Sequence, residues 1–377
     1  MTESLATSIA QRHDLGGRPL TVYLKPSDRC TVGCTHCYLP PEVRAGTLRM
    51  DAPTFAAALE TTATMAQRQR ARGIVLIWHG GEPMSLPPSY LDALATEATE
   101  RLPHAIQAIQ TSLIPYNARW RDFVARHCGG GIGTSVDFTQ RAIKGSNAAY
   151  LSLWMDKVRM ARADGFHIVP GMVPSVGELG REREIVDWFA EHGFDSWNID
   201  RYNQFAGHDP LRPINAQHSA FLRAVFDAVI DHARVGRFMA VNVVRAAIGG
   251  VLHNAPGERW GGTCSHDFLV VNPDGTTNAC PDKISFEGFS KVQDGGYDAF
   301  RASAARKAWI QEHLLGHRNP HCATCPFQTF CKSGCPLTPN TPETEGECSG
   351  YHRYLRHVRA VCAQEPSLIA AYMEATA

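Results

Sequence analysis

The sequence predicts an α/β protein: a partial, open (β/α)6 TIM-like barrel followed by a cysteine-rich segment organised by bound metal. Three observations predict it. Over residues 20–236, short β-rich runs alternate six times with amphipathic helical stretches, the pattern of βα units around a parallel sheet. Six units fall short of the eight that close a barrel. Polar motifs follow several of these strands: Cys30, Cys34 and Cys37, then Gly80-Gly81-Glu82-Pro83, Thr111-Ser112 and Ser135-Val136-Asp137. A barrel gathers such groups on the rim at its strand C-terminal ends. Finally, the twelve cysteines are unevenly placed: only Cys128 lies between Cys37 and Cys264, and seven fall from Cys264 to Cys348.

In chain order the strands are expected over 20–25, 74–79, 105–111, 131–137, 167–173 and 196–202. The helices that follow are expected over 51–72, 89–102, 117–127, 147–164, 180–192 and 215–235. Asp51, ahead of Pro53, and Asn117 supply N-cap chemistry to two of them. The expected organisation is an N-terminal extension (1–19), the barrel (20–236), a connector with a short helix (237–263), the cysteine-rich domain (264–350) and a C-terminal helix (351–377). The cysteine-rich segment carries much Pro and Gly with little apolar periodicity, so bound metal is expected to organise it.

Composition narrows the function. At 377 residues the chain exceeds what one core usually fills, so two lobes are expected. The net charge is zero with mixed signs, which gives no electrostatic footprint for a nucleic-acid or anionic-membrane partner. No apolar run approaches the ~20 residues of a membrane span, and the N-terminus lacks a signal-peptide core. A cytoplasmic protein is expected, and in a reducing compartment twelve cysteines read as metal or cluster ligands rather than disulfides.

Cys30, Cys34 and Cys37 put three thiols within eight residues, just after the first strand. Structural zinc recruits four ligands, so a triplet with no neighbouring fourth thiol suggests an iron-sulfur cube with one iron left open. A zinc site with a remote fourth ligand is the competing account. Gly80-Gly81 alone reads equally as a turn, and Ser135 or Asp137 alone as a helix-entry cap.

The triplet after the first strand, with Gly80-Gly81-Glu82-Pro83 after the second, resembles the radical S-adenosylmethionine superfamily. The resemblance implies that the three cysteines hold a 4Fe-4S cluster whose open iron chelates S-adenosylmethionine. Gly80, Gly81, Glu82 and Pro83 would meet the methionine moiety, Glu82 accepting from its amino group. The aromatic residue that the family usually carries before the third cysteine is His36 here, with Tyr38 following. Ser135 matches a position contacting the cofactor carboxylate or ribose, and Gln110-Thr111-Ser112 replaces the family's asparagine, with Ser112 assigned to the site.

The second constellation is Cys264, Cys280, Cys322, Cys325, Cys331, Cys335 and Cys348. One or two zinc knuckles are the bland reading. Together the seven positions resemble the SPASM extension of this superfamily, which implies two auxiliary 4Fe-4S clusters. Cys264, Cys280 and Cys335 would hold the first; Cys322, Cys325, Cys331 and Cys348 the second. Some relatives add an eighth cysteine just before the set, where this chain has none. An open or non-cysteine ligand is therefore expected on the first auxiliary cluster, with His266 and Asp267 nearest in sequence. Asp282 is the carboxylate beside Cys280 and the candidate catalytic base. Relatives that oxidise Cys or Ser in sulfatases place an aspartate one residue earlier, where this chain has Pro281, which argues against that activity; with Asp282 as the base in a rearranged loop, sulfatase-maturase-like protein oxidation stays an alternative. Cys128 and Cys362 are expected to be buried, inert thiols.

The resemblance implies an enzyme that generates a 5'-deoxyadenosyl radical and abstracts hydrogen from an unactivated C–H bond. A maturase that cross-links a ribosomally made peptide is expected, its substrate engaged through a leader, with a reductant such as flavodoxin or ferredoxin. About twenty residues precede the first strand, too few for a fused peptide-recognition domain. That keeps in view a small-molecule alcohol dehydrogenase of antibiotic biosynthesis. An electron carrier or a zinc-organised binding protein would have no need of the Gly80 to Pro83 turn.

Overall fold

The structure is a computed structural model and describes residues 18–202, 209–262, 264–282, 288–311 and 319–377. Residues 1–17 of the expected extension, Thr263 and Lys283 beside Asp282 lie outside the described residues. By backbone contacts the chain forms two units, one from Met1–Val136, Arg141–Ile168 and Thr263–Leu315, the other from Asp137–Gln140, Val169–Gly262 and Gly316–Ala377.

The six expected strands form, as β1 (Leu20–Leu24), β2 (Ile74–Trp78), β3 (Ile106–Thr111), β4 (Gly131–Ser135), β5 (His167–Met172) and β6 (Ser196–Ile199). The helices after them are α1 (Ala52–Arg68), α2 (Pro88–Arg101), α3 (Arg121–His127), α4 (Asn147–Ala163), α5 (Glu182–Glu191) and α6 (Asn215–Arg234). All but β3, which ends at Thr111 as expected, end one to three residues before the expected bounds because the polar motifs at their ends leave the ladder. The caps work as read: Asp51 accepts from the Thr54 N–H at 2.9 Å and Asn117 from the Arg119 N–H at 3.0 Å.

Within the first unit the strands lie in the order β4-β3-β2-β1, all parallel. Leu20, Val22 and Leu24 of β1 and Leu76 and Trp78 of β2 are fully buried. Burial of each contributes roughly 1.5–3 kcal/mol, which sets the register of the sheet. Trp78 stacks on Phe55 of α1 and donates to the Gln107 side chain of β3 at 2.9 Å, so the ring is packed and its N–H satisfied.

The cysteine-rich segment departs from expectation. Phe268–Val271 forms β8, parallel to β1 with Thr21 opposite Phe268, and Thr277–Asn278 forms β9, antiparallel to β8. Leu269, Val270 and Val271 are fully buried, so this segment does bury apolar surface, by joining the sheet of the first unit. Helices α8 (Gly296–Ala302) and α9 (Ala304–Trp309) follow, and Tyr297 of α8 accepts from Gln69 just beyond α1.

The second unit carries β5 from Val169 on, then β6 and a short β7 (Ala240–Val241), parallel in that order. The connector is better ordered than expected: beyond β7 it holds the twelve-residue helix α7 (Asn242–His253). The single C-terminal helix is two, α10 (His352–Gln364) and α11 (Pro366–Ala375), because Pro366 forces Glu365 out of helical geometry, at φ −127° and ψ 52°.

Candidate functional site

The loop after β1 carries the triplet. The Cys30 N–H bonds the Arg44 carbonyl at 3.1 Å, and the Val32 N–H reaches the Cys30 sulfur at 3.4 Å. The Cys30 thiol is pushed up to about 12, first by burial and then by Glu82, Cys34 and Cys37. Cys34 and Cys37 thus lie within electrostatic reach of Cys30, and none of the three is in a disulfide. Among the described residues no three His, Cys, Asp or Glu side chains stand close enough to hold one metal ion.

The turn after β2 is built against this loop. Gly80 adopts φ +127°, and a Cβ there would stand 2.3 Å from the Ser27 carbonyl oxygen. One on Gly81 would stand 2.2 Å from that of Asp28. The missing side chains let the Gly81 N–H bond the Ser27 carbonyl at 3.1 Å and the Glu82 N–H bond that of Arg29 at 2.9 Å, so the turn holds the segment that leads from β1 into Cys30. The Glu82 side chain is engaged within the protein. It is 1 % exposed and accepts from the Met84 N–H (2.9 Å), the Thr111 hydroxyl (2.5 Å), the Ser112 N–H (2.7 Å) and the Ser112 hydroxyl. Its acceptor sites are filled within the protein, which ties the ends of β2 and β3 together. Ser112 is thus oriented by Glu82. Ser135, at the end of β4, accepts from Gln110 at 3.2 Å. Asp137, in the second unit, accepts from the Val173 N–H at 2.8 Å after β5 rather than capping a helix.

A buried cation brings the Cys280 segment to the same place. Lys25, fully buried at the end of β1, sits 4.8 Å from the Tyr38 ring centre and donates to the Pro281 carbonyl at 2.6 Å. Tyr38 reaches the Gly80 carbonyl at 3.4 Å. Burial first, then the negative groups Asp28, Asp282, Cys37 and Cys280, hold its phenol well above the usual range. Asp282 and Cys280 therefore lie within electrostatic reach of the residue next to Cys37. Burial, aided by Lys25, pushes His79 down to about 3 and keeps its ring neutral. Sequence reasoning missed Lys25, although a lysine closing an otherwise apolar strand was the available signal.

In the second unit, Cys322, Cys325, Cys331 and Cys348 converge. Burial first, and then Cys348, Cys325 and Cys322, push the Cys331 thiol up to about 12. A Cβ on Gly350 would stand 2.4 Å from the Cys331 sulfur, and the Ser333 hydroxyl donates to Cys322 at 3.5 Å. Cys335 takes an N–H from Arg259 at 3.9 Å, and Arg259 is also held by Asp200 at 3.2 Å. Arg259 falls in the stretch that lacks the eighth cysteine, and sequence reasoning gave it no role. Glu258 beside it adopts φ +51° and accepts from Asn242 at 3.1 Å. In the first unit, Cys264 packs on Ala279, Trp309 and Ile310, Asp267 faces Arg18 at 3.6 Å, and His266 is half-buried. Cys128 and Cys362 are buried, their thiols pushed up by burial to about 12 and about 11.

The donor types fit the groups that the sequence implies: the thiols of Cys30, Cys34 and Cys37 beside a glycine turn, and those of Cys322, Cys325 and Cys348 around Cys331. Solved structures share this fold. One of anSMEcpe with bound AdoMet and Cp18Cys peptide matches with a TM-score of 0.74 at 15 % identity, over 95 % of this chain and 99 % of that one. Streptococcus suis SuiB bound to its precursor peptide SuiA matches with a TM-score of 0.61 at 15 % identity, over 90 % and 78 %. No family model matches the sequence. The α/β fold is that of the partial barrel these radical S-adenosylmethionine enzymes share. The sequence of this chain is similar to the serine-type anaerobic sulfatase-maturating enzyme of Klebsiella aerogenes, 25 % identical over a 373-residue alignment covering 91 % of this chain and 86 % of that protein.

Proposed function

We propose that the chain is a maturase that oxidises a side chain of a peptide or protein substrate by two electrons. The observation that carries this reading is the convergence of Asp282 and Cys280 with Cys37, Tyr38 and Lys25 beside the glycine turn. It is supported by the sulfatase-maturating relative and by neighbours solved with peptides. Formation of an aldehyde in the manner of that relative is the reading we favour. Cross-linking within a ribosomal peptide is the second, favoured by the fold shared with SuiB.

Cys30, Cys34 and Cys37 would hold the first 4Fe-4S cluster, with S-adenosylmethionine against the backbone of the Gly80 to Pro83 turn, Tyr38, Ser112 and Ser135. Cys264, Cys280 and Cys335 would hold the first auxiliary cluster and Cys322, Cys325, Cys331 and Cys348 the second. When bound, these groups supply a 5'-deoxyadenosyl radical that takes a hydrogen atom from the substrate, and an acceptor for the electron that the substrate then loses. The chain supplies the rest. Glu82 fixes Ser112 and the turn, Lys25 fixes the Pro281 carbonyl, and Asp282 takes the proton that leaves the substrate hydroxyl or thiol. An acidic one-electron protein such as a flavodoxin or ferredoxin would reduce the first cluster. Twelve cysteines outside any disulfide suit a reducing, cytoplasmic setting, and no described helix is long and apolar enough to cross a membrane.

Anaerobic reconstitution should give about twelve irons per chain, four for each cube. Incubation with S-adenosylmethionine, dithionite and a peptide bearing an internal Ser or Cys should yield 5'-deoxyadenosine and a peptide aldehyde that a hydrazide traps. A cross-linked product that no hydrazide traps would favour the second reading. Four irons per chain, or zinc in their place, would remove the basis for both.

A further inference from the structure

The first unit has a cleft of about 570 Å³ beside the triplet, lined by Thr31, Met84, Leu86, Trp120 and two arginines, Arg49 and Arg119, among others. Thr31 follows Cys30 directly, so this wall of the cleft is the outer surface of the cluster loop. Met84, Leu86 and Trp120 are almost fully buried and make an apolar floor, while Thr31, Arg49 and Arg119 are exposed at the edge. Arg49 and Arg119 are the charged groups that line it, and no acidic residue does. Both are anchored: Arg49 lies 5.9 Å from the Tyr90 ring centre, and Arg119 bonds the Asn117 side chain at 3.4 Å. Two more cations border the loop. Arg29, next to Cys30, is exposed, and Arg44 donates to the Val32 carbonyl at 3.2 Å. Of the acidic groups around it, Glu82 is buried with both oxygens bonded within the protein, and Asp51 is engaged in capping α1.

An apolar floor edged by fixed cations is the pattern of a transient interface for an acidic protein, where charge guides encounter and a small apolar contact completes docking. Its place against the cluster loop defines the partner's task. We infer that this cleft is the docking surface for an acidic one-electron donor of the flavodoxin class, which delivers its electron to the cluster held by Cys30, Cys34 and Cys37. The inference rests on the proposed function. One electron leaves the reduced flavin, which is oxidised by one electron, and enters the cluster, which is reduced by one; no bond forms or breaks at the docking surface. Carboxylates of the donor pair with Arg49 and Arg119, and an apolar loop side chain enters the cleft.

The test uses the reconstituted full chain and a flavodoxin reduced to its hydroquinone, with the rate of cluster bleaching read by stopped-flow absorbance. At low ionic strength, R49E/R119E should be reduced about tenfold more slowly than the parent, with R49Q/R119Q between them. Added salt should close the gap. Dithionite, which needs no docking surface, should reduce all three at one rate, and its product 5'-deoxyadenosine should accumulate equally. Equal rates for parent and R49E/R119E with flavodoxin would overturn the docking surface alone. If neither donor bleaches a cluster in the parent protein, the functional reading fails and this surface fails with it.

Discussion

Replacing Glu82 by glutamine changes one atom and sets a conflict that the structure lets one work through. The carboxylate accepts on one oxygen from the Met84 N–H and the Thr111 hydroxyl, and on the other from the Ser112 N–H and hydroxyl. An amide keeps one acceptor oxygen and turns the other into a donor. Hydroxyls can rotate to accept, but a backbone N–H cannot. Whichever way the amide is flipped, one buried N–H, of Met84 or of Ser112, faces an NH2 group. That orphaned donor costs about 1–3 kcal/mol, and the contacts that persist lose the strengthening of an ionised acceptor, roughly another 1–2 kcal/mol in sum. The expected loss is about 3 kcal/mol, concentrated where β2, β3 and the cluster loop meet. Thermal unfolding of reconstituted E82Q should show a midpoint lowered by roughly 5 °C, with reduced iron retention at the triplet. A variant with the parental midpoint and full iron would refute the reasoning, since the carboxylate would then have been free to serve a ligand instead.

Other expectations follow from single contacts. G81A would drive a Cβ into the Asp28 and Arg29 carbonyls, at 2.2 and 2.4 Å; it should lose the triplet cluster while keeping the iron of Cys322, Cys325, Cys331 and Cys348, as resolved by Mössbauer spectra. R259M removes the N–H to the Cys335 sulfur and should lower the midpoint potential of the cluster that Cys335 serves, seen in an EPR-monitored titration; an unmoved potential would mean that Arg259 only packs. Burial pushes the Glu345 carboxyl up, but the bonds from Arg212, at 2.6 and 3.1 Å, and from the Asn215 N–H more than offset it, so its folded value lies below the ordinary one. Its stabilisation is therefore full above the unfolded value near ~4.3 and is lost as pH falls through the depressed folded value. E345Q should cost about 3–5 kcal/mol at neutral pH and flatten that acid limb in urea unfolding; an unchanged pH slope would exclude this ion pair as its source.

The barrel half was legible because its strands are separated by long amphipathic helices, each with a clear period and several with caps. Sequence spacing also brought the glycine turn and the cysteine triplet onto one rim. What escaped notice was short or relational. Phe268–Val271 is four residues between cysteines, too brief to carry a period, and only its pairing with β1 identifies it as a strand. Pro366 was the available signal for splitting the last helix, and it was outweighed by apolar periodicity on both sides. The inward turn of the Glu82 carboxylate toward Thr111 and Ser112 depends on residues some thirty positions away, so no local pattern foretells it. Lys25 and Arg259 were missed for the same reason: their partners, Pro281 and Cys335, are remote in sequence.

The pairing of β8 with β1 bears on how the protein is made. Thr21 emerges from the ribosome early, but its partner Phe268 is added only after most of the chain has been synthesised. Until then one edge of the first strand, with its unpaired backbone groups, stays open to association with other nascent chains. A fragment ending at the barrel boundary near residue 236 would keep that edge open permanently, and is expected to collect in inclusion bodies. Slow release from translation, or a chaperone that shields the β1 edge, should raise the soluble yield of the full chain.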